Sequence, residues 1–205
     1  MNYSLCFNYL RDHWVEIVGA ILSLIYLYLS IKEKVSLWFY GIVSSLFYIV
    51  IFFQTKFYAD MSLQFYYVFI SIYGWIIWVR GKQGAKAELP TTRMTKRQTV
   101  NLVIATGLIY ILYYMLLSRY TDSTIPKTDS LVGALGIVGT WMLARKLIEN
   151  WFVWIVADGL CVWLYVYKGL YPTAILYVIY TLMSVVGYFE WKKIMSPAKQ
   201  TVPGD

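Results

Sequence analysis

The chain has 205 residues, 60% of them hydrophobic and 19% aromatic, while 14% are charged, against about 25% charged in an ordinary soluble domain. A soluble fold of this length cannot hide that much apolar surface, so a soluble domain is excluded. The 18 Lys and Arg against 11 Asp and Glu lie between apolar runs or at their ends, not along one basic helix, which points to membrane topology and away from nucleic acid.

A membrane-spanning helix needs about 20 mostly apolar residues. Seven segments qualify in chain order: 14–31, 36–54, 60–79, 98–118, 129–145, 150–167 and 171–190. The residues ahead of the first, which include Cys6 and His13, lack the basic start, apolar core and small-residue cleavage site of a signal peptide, so the first span is expected to be retained. His13 reads as a surface residue near a span end. Cys6 and Cys161 are too few for a disulfide framework or a metal site, and Cys161 reads as a small buried side chain. The linkers are brief except for 80–97, which is polar, basic and contains Pro90; it reads as a solvated connector between two halves, and 192–205 as a tail.

Charge sets the orientation. The connectors after spans one, three and five, together with the tail, carry 13 Lys and Arg, against 5 on the other side. The positive-inside rule then predicts an outside N-terminus and a cytoplasmic C-terminus, as an odd number of spans requires.

The chain also repeats itself. Trp38, Tyr58, Tyr67, Gly74 and Trp78 recur 113 residues later as Trp151, Tyr171, Tyr180, Gly187 and Trp191, and Gly19 recurs as Gly133 with a one-residue shift. The units are 14–79 and 129–191, with span 98–118 between them. Because one span separates two units of three, the second unit enters the membrane in the same direction as the first. The expected fold is therefore an all-α integral membrane protein of seven transmembrane helices, arranged 3+1+3 with two parallel three-helix repeats. Such repeats are one of the arrangements in which transporters place a substrate site at the repeat interface near the midplane.

Few residues can carry chemistry. Asp158 is the one acidic residue deep inside a predicted span; an intramembrane carboxylate marks a functional site or a helix-to-helix hydrogen bond. Asn150, Trp154, Asp158, Cys161 and Tyr165 share one helix face by their spacing, although Asn150 also suits a helix start. Gln64, Tyr67 and Ser71 form a comparable stripe, with Gln64 bonding either a substrate or a neighbouring helix. The counterpart stripe begins at Tyr177 and continues through Tyr180. Trp38, Gly41, Ser45 and Tyr48 share one side of the second span, and the glycines allow close helix approach. Trp78 and Trp191, at cytoplasmic ends, read as interface anchors.

No Lys or Arg lies in the middle of a span, so a phosphate or carboxylate at the midplane would lack a compensating charge. Aromatic faces and one carboxylate suit a flat neutral or cationic ligand instead. No catalytic residues, cofactor or metal site can be assigned: metal-ligand clusters, a nucleophile elbow and an ATP-binding loop are all missing. The chain therefore reads as a non-enzyme, and transport by it would run down a gradient, on a coupled ion or by trapping on the far side.

Three stretches resemble the PnuC family of bacterial nicotinamide riboside transporters: D60-M-S-L-Q-F-Y-Y followed by S71-I-Y-G-W-I-I-W78, E149-N-W-F-V-W-I-V-A-D158, and Y167-K-G-L-Y-P-T-A-I-L-Y177 leading to Gly187 and Trp191. The resemblance covers nearly all of 14–191. It implies an architecture similar to full-length sugar transporters of the SWEET type, homotrimeric assembly among lipid in the bacterial inner membrane, and facilitated uptake of nicotinamide riboside, with a cytoplasmic riboside kinase trapping the phosphorylated product. It implies a midmembrane substrate site carried here by Gln64, Tyr67, Asn150, Trp154, Asp158, Tyr177 and Tyr180. Members of the family that carry thiamine or riboflavin-like vitamins look much alike, so thiamine or another flat-ring vitamin is the alternative substrate. A ligand-binding channel or receptor is the second alternative, distinguished by ion currents or by binding without translocation.

Overall fold

The computed structural model describes residues 14–54, 58–81, 89–121 and 125–195, with side chains throughout except at 14–17, 51 and 58–60. Cys6, His13, connector residues 82–88 and tail residues 196–205 lie outside the described residues, as does the side chain of Tyr58. Among the described residues the chain is all-helical: α1 Trp14–Ile31, α2 Leu37–Gln54, α3 Tyr58–Arg80, α4 Lys96–Tyr120, α5 Pro126–Ala144, α6 Asn150–Tyr167 and α7 Tyr171–Met195. Helices α2, α4, α6, α7 and residues Met61–Arg80 of α3 are long and apolar enough to cross a membrane, and α1 supplies the shorter apolar stretch Val18–Ile31. Helix α5 falls outside that group: Lys127 and Asp129 stand in its first turns, and Gly133, Gly136 and Gly139 run along it.

The helix ends differ from the expected segments by a few residues, for local reasons. Thr95 caps α4 in a reciprocal capping box with Gln98, which starts the helix at Lys96 rather than 98. Pro126 opens α5 ahead of Asp129, since the ring fixes φ and the missing N–H would have no partner in the first turn. Helix α7 continues past 190 with Lys192 and Lys193 in its last turn, where positive charge complements the helix dipole.

The helices close a ring. Helix α2 packs along α3, α6 along α7, α1 lies against α2 and α7, and α5 lies against α6 and α3. Exchanging α1, α2, α3 with α5, α6, α7 leaves this set of neighbours unchanged. Helix α4 leans on α5 and buries none of its residues.

Tryptophans pin the ring at one end. A Cβ at Gly74 would lie 2.4 Å from the Trp38 ring, and one at Gly187 would lie 2.5 Å from the Trp151 ring; both glycines are needed for the close approach of α2 to α3 and of α6 to α7. Trp38 meets Trp78 edge to face with centroids 5.4 Å apart, Trp151 meets Trp191 at the same 5.4 Å, and Trp78 and Trp191 touch across the ring at 6.5 Å. The indole N–H of Trp78 donates to the Ala144 carbonyl at the end of α5, and that of Trp191 donates to the Ser30 carbonyl at the end of α1, both at 3.1 Å. Trp78 and Trp191 are therefore core residues, 3% and 0% exposed, and not the interface anchors expected from their position near helix ends. Each bonds a carbonyl at a helix terminus far away in the chain, Ala144 of α5 or Ser30 of α1, an energetic role a single span cannot disclose.

Beside the tryptophans, Glu33 and Lys146 occupy left-handed backbone, with φ of 51° and 50°. The Lys146 ammonium lies 2.6 Å from the Glu33 carboxylate and 4.5 Å from the centre of the Trp78 ring. The connector is tied across this end: Thr92 exchanges backbone hydrogen bonds with Lys146 and Ile148, Thr91 donates its hydroxyl to Glu33, and the Met94 N–H donates to Glu149.

Candidate functional site

Above the tryptophan layer, on the α1 side of the ring, is a cavity of about 360 Å³, inside the range of about 300–1,000 Å³ usual for small-molecule sites. All the helices of the ring contribute to it, α4 does not, and its lining contains no Lys, Arg, Asp or Glu. Gln64, Tyr67 and Ser71 project from α3 at helical spacing, and Gly41, Ser45 and Tyr48 from α2 in the same manner. Gly41 has no side chain to fill the space, and a Cβ there would meet the Ser71 hydroxyl at 3.0 Å and the Tyr26 ring at 3.2 Å. Small residues on one helix thus make room for hydroxyls and aromatic faces on its neighbours.

Helices α5, α6 and α7 supply Thr140, Trp154 and Tyr177. The Trp154 indole rests on Gly139, where a Cβ would come within 3.1 Å, and the Tyr67 hydroxyl reaches Gly136, where a Cβ would stand 2.8 Å away. The glycine run of α5 therefore sets how far these aromatic groups reach across the ring. Next to Tyr67, the Tyr66 hydroxyl donates to the Ile137 carbonyl at 2.7 Å, tying α3 to α5. Tyr177 stacks on Tyr165 at 5.1 Å and meets Tyr180 edge to face at 5.3 Å.

Of the seven residues expected at the site, Gln64, Tyr67, Trp154 and Tyr177 line one cavity, although they come from three helices far apart in the chain. The other three do not line it. Tyr180 packs on Tyr177 within hydrogen-bonding reach of Ser23. Asp158 is buried between α6 and α7 and accepts a hydrogen bond from Ser184 at 3.4 Å. Asn150 is wholly buried at the start of α6; its Nδ2 donates to the Leu147 carbonyl, and its Oδ1 has no hydrogen-bond partner among the described residues. Cys161 is buried and free, as expected.

Leu22, Ser23 and Tyr26 of α1, Tyr40 and Ser44 of α2, and Thr140 of α5 line the cavity too, and sequence reasoning missed them. The signal for α1 was present: Gly19, Ser23, Tyr26 and Ser30 recur every three or four residues and make a polar stripe on an apolar helix. Thr140 stands alone among glycines and aliphatics, and nothing periodic singles it out.

The model of the family described as nicotinamide mononucleotide transporter matches residues 13–193. The chain belongs to this family. Nicotinamide riboside transporter PnuC of Escherichia coli strain K12 is 27% identical over 202 residues, covering 87% of this chain and 84% of the relative. The protein of the same description from Neisseria mucosa is 25% identical, covering 94% of this chain and 77% of the relative. A riboflavin/roseoflavin transporter, RibM of Streptomyces davaonensis, is 27% identical, covering 87% and 84%. Among solved structures, the crystal structure of the vitamin B3 transporter PnuC superimposes with a TM-score of 0.73 and 25% identity, covering 93% of this chain and 86% of that one. A mononucleotide transporter family chain of this kind is a multi-pass membrane transporter and not an enzyme, and the resemblance to PnuC seen in its motifs holds over the whole bundle.

Proposed function

We propose that this transporter carries nicotinamide riboside into the cytoplasm by facilitated diffusion. The observation that carries the reading is the uncharged, aromatic and hydroxyl-lined cavity at the junction of the two repeats. A pyridinium ring gains from aromatic faces, which Tyr67, Trp154 and Tyr177 supply. Gln64 offers both a donor and an acceptor for the carboxamide or the ribose hydroxyls, and the orphaned Oδ1 of Asn150 is a further acceptor behind them. Asp158 and Tyr180 complete the set from beyond the cavity wall, Asp158 held there by Ser184. A phosphate group would enter this cavity with no cation to receive it, so the riboside is favoured over the mononucleotide.

The membrane arrangement that goes with this reading is seven spans in a 3+1+3 order, two parallel repeats with α4 between them, an outside N-terminus and a cytoplasmic C-terminus in the bacterial inner membrane. It is supported by the exchange symmetry of the helix neighbours and by the distribution of Lys and Arg. The tryptophan layer and the Glu33–Lys146 pair then form the cytoplasmic closure, which must part to release substrate. Phosphorylation by a cytoplasmic riboside kinase retains the product, and the functional unit in the lipid is a homotrimer, as the family resemblance implies.

A flavin or thiamine substrate is the second reading, favoured by the similarity to the riboflavin/roseoflavin transporter. The cavity stands at the small end of the usual range, which suits a single-ring riboside better than a tricyclic flavin. Uptake of labelled nicotinamide riboside into proteoliposomes holding only this protein decides between them: equilibration without ATP, inhibited by excess riboside and not by riboflavin or thiamine, is expected. Inhibition by a vitamin in place of the riboside overturns the substrate; current without uptake overturns the transporter.

A further inference from the structure

A second cavity, of about 470 Å³, lies at the end of the bundle closed by the tryptophans, between the end of α3, the connector and the starts and ends of α4 and α5. Arg80, Arg145 and Gln98 face it together with Ile76, Ile77 and Leu89. Lys32, Lys146, Lys168 and Lys193 are each ion-paired with a carboxylate, whereas neither Arg80 nor Arg145 has such a partner among the described residues. The Arg145 guanidinium donates one N–H to the Tyr73 hydroxyl at 3.2 Å, which orients the group and leaves its other donors open. Gln98 accepts from the Thr95 N–H and hydroxyl through Oε1, so its NH2 group is the part free to donate.

We propose that this cavity is a binding site for a phosphate anion, with an anionic phospholipid headgroup as the source its walls favour. Two planar guanidinium forks and an amide donor lining one cavity suit a phosphate oxygen set. The apolar side is continuous with the membrane-facing surface, where Ile76 and Val79 are 43% and 62% exposed, so an acyl chain can follow the headgroup out. Basic pockets between transmembrane helices at the cytoplasmic leaflet are sites of this chemistry. The assignment to that leaflet rests on the orientation proposed above. None of these residues lines the substrate cavity, so the site is separate from the transport path. It is joined to the cytoplasmic closure through Thr92, which faces the cavity and pairs with the backbone of Lys146.

The test uses the full chain and an Arg80→Gln/Arg145→Gln variant, with Arg80→Lys/Arg145→Lys as the charge-preserving control. Native mass spectrometry with added phosphatidylglycerol or phosphatidylcholine reads lipid retention, and thermal shift with inorganic phosphate reads free anion. Retention of phosphatidylglycerol over phosphatidylcholine, weakened about tenfold or more by the Gln variant and less by the Lys variant, is expected. Stabilisation by inorganic phosphate with no lipid preference keeps the anion site and overturns the headgroup as its source. No preference and no stabilisation overturn the site. Riboside binding by the same variants is expected to be unchanged; its absence from the parent and variants alike counts against the transport reading alone.

Discussion

Glu33 and Lys146 stand 113 residues apart, the spacing that also separates Trp38 from Trp151 and Gly74 from Gly187, and they are bonded to each other at 2.6 Å. Each ends its helix with the same pair of hydrogen bonds: Lys34 to Leu29 and Glu33 to Ser30 after α1, Leu147 to Met142 and Lys146 to Leu143 after α5. This is a helix-terminating motif that ordinarily places glycine in the left-handed position. Here oppositely charged residues take that position on both sides, and their side chains, 10% and 3% exposed, meet where the repeats adjoin. Matched backbone geometry at the two helix ends, with opposite charges at the one position, makes the pair a clasp.

Removing one charge leaves the other buried and unpaired, which costs about 3–5 kcal/mol. Glu33→Gln and Lys146→Gln are therefore each expected to lower the melting temperature of the purified protein sharply. Because the two backbones match, the exchanged pair Glu33→Lys/Lys146→Glu is expected to recover part of the loss. Recovery stays partial, since Thr91 donates to Glu33 and Lys146 faces the Trp78 ring. An exchanged variant no more stable than the single variants contradicts this account of the clasp.

Gly74→Ala and Gly187→Ala each drive a methyl group into an indole ring at about the same impossible distance. Overpacking of this kind costs about 1–3 kcal/mol, and the two substitutions are expected to be alike in a detergent melting series. Gly107→Ala on α4, where a Cβ meets nothing within 4 Å, is the control and is expected to be neutral or slightly stabilising. A neutral result at Gly74 with a large loss at Gly187 would break the equivalence of the repeats.

Gln64→Ala and Trp154→Ala are expected to weaken riboside uptake while leaving the fold intact. Loss of a hydrogen bond to a neutral group costs about 0.5–1.5 kcal/mol, or about twofold to thirteenfold, at Gln64, and loss of an aromatic face under a cation costs about 0.5–2 kcal/mol, or about twofold to thirtyfold, at Trp154. Concentration dependence of uptake in proteoliposomes checks it. Unchanged uptake in both variants would remove these residues from the site.

Asp158 accepts from Ser184, and an asparagine carbonyl can accept the same bond. Asp158→Asn is expected to keep the fold and, for a facilitated carrier, to retain riboside uptake within a few-fold. Uptake that vanishes in a variant with an unchanged melting temperature shows instead that ionisation of this residue drives transport.

Much of the bundle was legible from the chain because lipid demands long apolar runs and because the repeat preserves Trp and Gly at constant spacing. Gln64, Tyr67, Trp154 and Tyr177 were legible as aromatic and amide stripes on helical faces. Tyr26, Ser44 and Thr140 were not, since a cavity wall on α1 or α5 needs only a few polar atoms among small residues and leaves a weak periodic mark. The burial of Trp78 and Trp191 was also hidden: a tryptophan near a span end reads as interfacial until the opposite repeat presents a carbonyl to its N–H. The Glu33–Lys146 contact needed the ring to close, because sequence spacing says that the positions correspond but not that they meet.

In the proposed function a riboside without phosphate occupies the cavity enclosed by the ring of helices. Calorimetric titration of the purified full chain with nicotinamide riboside and with nicotinamide mononucleotide tests it most directly. The riboside is expected to bind, the mononucleotide to bind at least about tenfold more weakly for want of a cation in the cavity, and Gln64→Ala to weaken riboside binding. Mononucleotide binding as tight as or tighter than riboside binding would contradict it.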